Sequence, residues 1–158
     1  MITHVSLDVD RIYLAGPIFS EAGQAWHRAA KARIEDELPL LRVVWPYELL
    51  DQSEILACRG CASRRVMEVC RCALEGCELV VALLDGPQVD DGTAWELGYA
   101  HARGIPSIGV RTDCRQAGDV PGALVNAMVH GSCEVIVRST EELMVELAWR
   151  HRMKGMWA

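Results

Sequence analysis

The densest run of chemically useful side chains is Leu83-Leu84-Asp85-Gly86-Pro87-Gln88-Val89-Asp90-Asp91-Gly92-Thr93-Ala94-Trp95-Glu96-Leu97-Gly98-Tyr99-Ala100. An apolar segment ends, three acids and two glycines follow, and a helical pattern begins. With a helix expected from about residue 93 to 103, Glu96 falls in the first turn. Unpaired N–H groups and the macrodipole there favour a charged carboxylate. An ionised carboxylate is the form in which an acidic side chain acts as a nucleophile. The same spacing has a plainer meaning. Thr93-Ala94-Trp95-Glu96 fits a capping box, in which Glu96 only satisfies the Thr93 N–H. Asp90 and Asp91 fit turn or N-cap positions equally well. Local spacing leaves both readings open.

The elements that must carry these residues follow from hydrophobic periodicity. Strands are expected at 11–15, 41–45, 78–84, 107–110 and 134–137, and helices at 21–38, 62–75, 93–103, 121–129 and 140–152. The segment 78–84 is continuously apolar and β-branched enough for a central strand buried on both faces. Strands separated by helix-length segments pair in parallel through right-handed crossovers. The expected fold is therefore α/β: a doubly wound, Rossmann- or flavodoxin-like parallel sheet of about five strands flanked by helices. No repeat or linker interrupts it, so one domain is expected over residues 11–152, with tails at 1–10 and 153–158. Such sheets bind ligands beyond the carboxyl ends of their strands, which points to residues 16–20 and 85–92.

Composition narrows the classes of function. Of 158 residues, 16 are Lys or Arg and 22 are Asp or Glu, a formal net charge of -6. Nucleic-acid binding needs a basic face to neutralise phosphates, and this balance argues against it. The longest apolar run, 79–84, falls far short of the roughly 20 residues a membrane helix requires. Residues 1–10 show neither a basic start nor an apolar stretch, so a cytoplasmic location is expected. The seven cysteines then read as reduced thiols. Cys58-Arg59-Gly60-Cys61 has zinc-ligand spacing that Cys70, Cys72 and Cys77 could complete. Residues 70 and 72 diverge on a helix, however, which favours packing thiols over a metal. The five histidines show no paired metal spacing, and His101 reads as a helix-surface residue.

Three segments resemble the nucleoside 2-deoxyribosyltransferase family. Tyr13-Leu14-Ala15-Gly16-Pro17-Ile18-Phe19-Ser20-Glu21-Ala22 is similar to its opening strand and loop. Asp85-Gly86, followed by Asp90 through Ala100 and closed by Arg103-Gly104-Ile105-Pro106, is similar to its catalytic segment. Asn126-Ala127-Met128-Val129-His130-Gly131 is similar to the loop that members lend to a neighbouring subunit. The resemblance implies Glu96 as the nucleophile of a covalent deoxyribosyl intermediate. It implies Asp90 as acceptor for the sugar 5′-hydroxyl and Tyr13 as the residue that orients Glu96. It places Gly16, Pro17, Phe19, Asp85, Gly86 and Gly92 about the substrate. Asn126 and Met128 would reach an adjacent subunit's site, hence a homo-oligomer with shared sites. Without the resemblance, Tyr13 is a core aromatic and Met128 ordinary helix packing.

The implied reaction transfers 2-deoxyribose between a nucleoside and a free nucleobase with retention, as retaining glycosidases do. It calls for no cofactor and no metal, and neither a GxGxxG fingerprint nor a Walker loop is present. Relatives often carry an Asp near the departing base where this chain has Cys70. A thiol, with a pKa of about 8.5, is a poorer acceptor and a different acid. Two other functions remain open. One is an N-glycoside hydrolase of nucleosides or nucleoside 5′-monophosphates, although a carboxylate at position 90 would repel a phosphate. The other is a nucleoside- or nucleotide-binding domain without turnover.

Overall fold

The computed structural model describes residues 11–57 and 60–155. The strands are β1 (Arg11–Ala15), β2 (Arg42–Val44), β3 (Leu79–Leu83), β4 (Ser107–Val110) and β5 (Val135–Val137). The helices are α1 (Glu21–Glu37), α2 (Gln52–Ala57), α3 (Ala62–Glu75), α4 (Asp91–Ala102), α5 (Ala127–Ser132) and α6 (Thr140–Gly155), with a short 3₁₀ turn at Pro46–Glu48. The strands form one parallel sheet in the order β2-β1-β3-β4-β5. The chain winds outward from β1 to β2, then returns past β1 to β3 and continues the other way. This is a doubly wound α/β fold whose topological switch lies between β1 and β3.

Strand alternation sorts the core into two layers. Ile12, Leu14, Leu79 and Val81 pack with Ile34 of α1 and with Leu143 and Leu147 of α6. Tyr13, Ala15, Val80 and Ala82 pack with Leu74 of α3 and with Leu97 and Ala100 of α4. All five residues of β3 are buried, as its continuous apolar run predicts for a central parallel strand. The parity of β1 has a direct consequence for the site. It sends Tyr13 into the layer formed by α3 and α4, the layer that carries Glu96.

Three local expectations need correction. α4 begins at Asp91 rather than near Thr93, because Asp90 is its N-cap and accepts from the Thr93 N–H. The helix expected at 121–129 is instead turns followed by α5. Gly122 takes a positive φ of 82°, and Asn126 caps the helix by accepting from the Met128 N–H. Val125 and Val129 are both buried at helical spacing, but only the second lies in the helix. The cysteines are not all reduced: Cys61 is disulfide-bonded, while Cys70, Cys72, Cys77, Cys114 and Cys133 are free. An odd count bars complete pairing without barring a single bridge. Cys58 lies outside the described residues. No helix among the described residues is long and apolar enough to cross a membrane.

α4 is held to the sheet by its apolar face, with Leu97 fully buried between Glu96 and Gly98. Leu97→Ala should destabilise the protein by about 2–5 kcal/mol through lost burial and the cavity left behind. Urea unfolding at constant pH measures this.

Candidate active site

The Tyr13 hydroxyl donates to Glu96 Oε1 at 2.6 Å, joining β1 to α4 across 83 residues of sequence. Tyr13 is fully buried, so its hydroxyl needs a partner and the carboxylate supplies one. Glu96 is the sixth residue of α4, one turn beyond the position a capping box requires. The Thr93 N–H goes to Asp90 Oδ2 at 3.0 Å and the Thr93 hydroxyl to the same oxygen at 3.1 Å. The capping-box reading of Glu96 therefore fails, and Asp90 takes that role.

The ionisation of Glu96 also departs from the expectation. Burial pushes its pKa up to about 7, against the hydrogen bond from Tyr13, with the Asp90 charge adding to the rise. The start of the helix does not hold it fully anionic, because desolvation penalises the charged form more strongly. Burial, then Glu96, drives the Tyr13 phenol far above its ordinary range, so it remains a donor. The Cys70 thiol faces the Tyr13 hydroxyl from α3, and burial followed by Glu96 raises its pKa. Tyr13, Cys70 and Asp90 thus each interact with Glu96 at the switch between β1 and β3. A part-buried carboxyl with a pKa near neutral, oriented by a tyrosine, is present in both its charged and its neutral form near pH 7.

The remaining predicted residues surround this group to different degrees. Gly16 follows β1 with φ 152°, and a Cβ there would lie 2.5 Å from His27 Nε2. Only glycine lets the exit of β1 lie over that buried imidazole. Pro17 follows it, and Phe19 is 84% exposed. Asp85 turns its carboxylate to the exit of β4: Oδ1 accepts from the N–H groups of Thr112 at 2.6 Å and Asp113 at 3.2 Å. The Thr112 hydroxyl donates to its other oxygen. Gly86 donates its N–H to Asp113 Oδ2 at 2.6 Å, and Gly92 donates to Asp91 Oδ1 at 2.9 Å. Asn126 and Met128 are not joined to the Tyr13–Glu96 pair by these bonds. The Asn126 side chain donates to Asp119 and accepts from Met128, and the Met128 side chain is 80% exposed.

Sequence reasoning missed two supports. His27 lies buried under Gly16, with its ring nitrogens 2.7 Å from the Gly23 carbonyl and 3.3 Å from that of Ala15. Burial lowers its pKa in spite of those two carbonyls. Arg111, also fully buried, holds the exit of β3. The available signal for Arg111 was a cation placed directly after an apolar strand run. Among the described residues, no three His, Cys, Asp or Glu side chains converge as metal ligands. A cavity of about 380 Å³ opens between His101, Pro106, Cys133 and Glu134, at the amino ends of β4 and β5.

Comparison with known proteins bears on this geometry. The family described as Nucleoside 2-deoxyribosyltransferase matches residues 12–128. A conserved protein from Enterococcus faecalis V583 superposes with TM-score 0.70 at 28% identity, covering 90% of this chain and 99% of that one. A 2-deoxyribosyltransferase from Bacillus psychrosaccharolyticus shares the fold with TM-score 0.66 at 23% identity, covering 84% and 89%. A 2-desoxiribosyltransferase from Leishmania mexicana does so with TM-score 0.68 at 22% identity, covering 90% and 99%. Comparison with curated protein sequences finds no match.

The raised pKa of Glu96 has a thermodynamic consequence. The folded state binds this proton more tightly than the unfolded chain, whose carboxyl titrates near 4.5. Stability is therefore fully present below about pH 4.5 and is lost as pH rises toward and past 7. Glu96→Gln, which keeps an acceptor for Tyr13, should be more stable than the native protein by about 1–3 kcal/mol at about pH 8. The difference should vanish at about pH 4, as urea unfolding at the two values can establish.

Proposed function

Because the chain belongs to the nucleoside 2-deoxyribosyltransferase family, we propose that it transfers 2-deoxyribose between nucleobases through a covalent ester on Glu96. Glycosyl chemistry on nucleosides is the activity of that family. The observation that carries the specific reading is the part-buried 2.6 Å bond from Tyr13 to Glu96 at the carboxyl edge of the sheet.

Tyr13 holds one carboxylate oxygen and leaves the other for the sugar. As the C1′–N bond lengthens, positive charge grows on C1′ and the ring oxygen, and the buried carboxylate stabilises it. The free oxygen then bonds to C1′, while the electron pair of the broken bond leaves with the base, which takes up a proton. A second base attacks C1′ through nitrogen, the ester C–O bond breaks, and the incoming base loses its proton. Two displacements retain configuration. With a pKa of about 7, Glu96 supplies enough carboxylate for attack and leaves readily in the second step.

Asp90 serves in two ways on this reading. Oδ2 caps α4, while a carboxylate has lone pairs to spare for the sugar 5′-hydroxyl. Its charge disfavours a 5′-phosphate, which supports a free nucleoside over a monophosphate. Gly16, Pro17, Phe19, Asp85, Gly86 and Gly92 form the rim of the site. Cys70 places a thiol beside the departing base. Exposed Phe19 and Met128 support a homo-oligomer in which Asn126 and Met128 complete a neighbour's site. Residues 11–152 act together as the catalytic domain.

Two measurements test the proposal. A deoxynucleoside incubated with a different free base should yield the exchanged nucleoside, and Glu96→Ala should lower that rate at least about 10³-fold while remaining folded. Release of free sugar with no exchanged product would make the protein a hydrolase; binding without turnover would make it a sensor. The shared-site claim has its own test. Glu96→Ala and Asn126→Ala, each inactive alone, should regain about one quarter of wild-type activity on mixing and re-equilibration as a dimer, since half the pairs are mixed and each carries one intact site. No regain would place Asn126 in the site of its own chain.

A further inference from the structure

Arg111 is the only arginine among the described residues that is fully buried. Its guanidinium is spread over the exit of β3. Nη1 donates to the Leu84 carbonyl, and Nη2 donates to the Gly86 carbonyl at 3.0 Å. Nε and Nη2 reach the Arg115 carbonyl at 3.2 and 3.1 Å, and Nη2 also pairs with Asp113 Oδ1 at 3.1 Å. The two carbonyls taken from the segment after β3 flank Asp85, whose carboxylate is itself bound by Thr112 and Asp113. The Leu84 N–H donates to the Val110 carbonyl at 2.8 Å, and the Gly86 N–H to Asp113. Residues 84–86 are thereby tied at successive polar groups to residues 110–113.

A buried charge is costly to desolvate, and an apolar side chain of similar volume often serves stability as well or better. What the guanidinium adds is geometry, since its planar fork holds several acceptors in fixed directions. The segment it holds leads within four residues to Asp90, the cap of α4, and then to Glu96. We propose that Arg111, seated on Asp113, is a positioning residue that sets the β3–α4 loop, and with it the Asp90 cap of α4, and so places Glu96 against Tyr13. The inference rests on Glu96 as the reacting group. The groups facing Glu96 are Tyr13 from β1, Cys70 from α3 and Asp90 from the loop. Loosening the loop admits water to the carboxyl, and burial is the largest of the effects that act on it.

The test compares the native protein with Arg111→Met and Arg111→Lys, reading both turnover and the titration of Glu96 by ¹³C-glutamate NMR. Arg111→Met should lower kcat per folded molecule by about 10- to 100-fold, as small displacements of reacting groups do. The Glu96 midpoint should move from about 7 down toward the ordinary carboxylate range. Arg111→Lys, which keeps the charge but not the fork, should fall between the two. A side chain serving stability alone would lower the melting temperature and leave the midpoint and the turnover per folded molecule unchanged; that result overturns the proposal. Should Arg111→Met fail to fold, Thr112→Val removes one donor to Asp85 from the surface side and should move the midpoint in the same direction, a fixed midpoint again overturning it. If the native protein transfers no sugar, the functional reading fails, while the titration still decides whether the clamp positions Glu96.

Discussion

The hydrogen bond between Tyr13 and Glu96 resolves two costs at once, and the arrangement of the site depends on it. A tyrosine hydroxyl with no access to water must donate to something, and a carboxylate withdrawn from solvent must accept from something. Each group is the other's partner at 2.6 Å. The bond forms because strand alternation turns Tyr13 toward α3 and α4 while Ile12 and Leu14 pack on the opposite layer. A shift of one residue in the register of β1 would exchange these faces. It would leave Glu96 with no tyrosine.

The same burial that makes Glu96 chemically useful makes it expensive. Desolvation lifts its pKa to about 7, so part of the population is protonated at neutral pH and the charged remainder detracts from stability. Sites tuned for reaction commonly carry this conflict. The surrounding core supplies the compensation: β3 is buried along its whole length, and Leu97 and Ala100 secure α4 beneath it.

Around that pair the fold provides two rigid edges. At the exit of β1, Gly16 lies over His27, a contact that a side chain at position 16 would block. At the exit of β3, Asp85 and Gly86 are tied to Thr112 and Asp113, with Arg111 threading between them. Both edges lie at the carboxyl ends of neighbouring strands, where a doubly wound sheet opens its crevice. The acids of the β3–α4 loop divide their work accordingly. Asp85 secures the loop and Asp90 caps the helix, leaving Glu96 as the carboxyl bonded to the strand.

Much of this was legible from sequence. The strand order, the central apolar strand and the two exit loops followed from periodicity alone, because burial on one face imposes a repeat that neighbouring residues display; the short helix α2 was not anticipated. The resemblance singled out Glu96, Asp90 and Tyr13 before any contact was known. Helix starts were less legible: Thr93 and Asp90 are both sound N-caps, and the choice between them turned on which side chain the folded loop brought to the Thr93 N–H. The state of Glu96 was misread for a related reason. Its place near a helix start is local, whereas the burial that outweighs it comes from residues elsewhere in the chain. Arg111 lies 27 residues from the Leu84 carbonyl it binds, and Tyr13 lies 83 from Glu96. Separations of that size leave no periodic trace, since the energy that selects them exists only once the sheet has assembled.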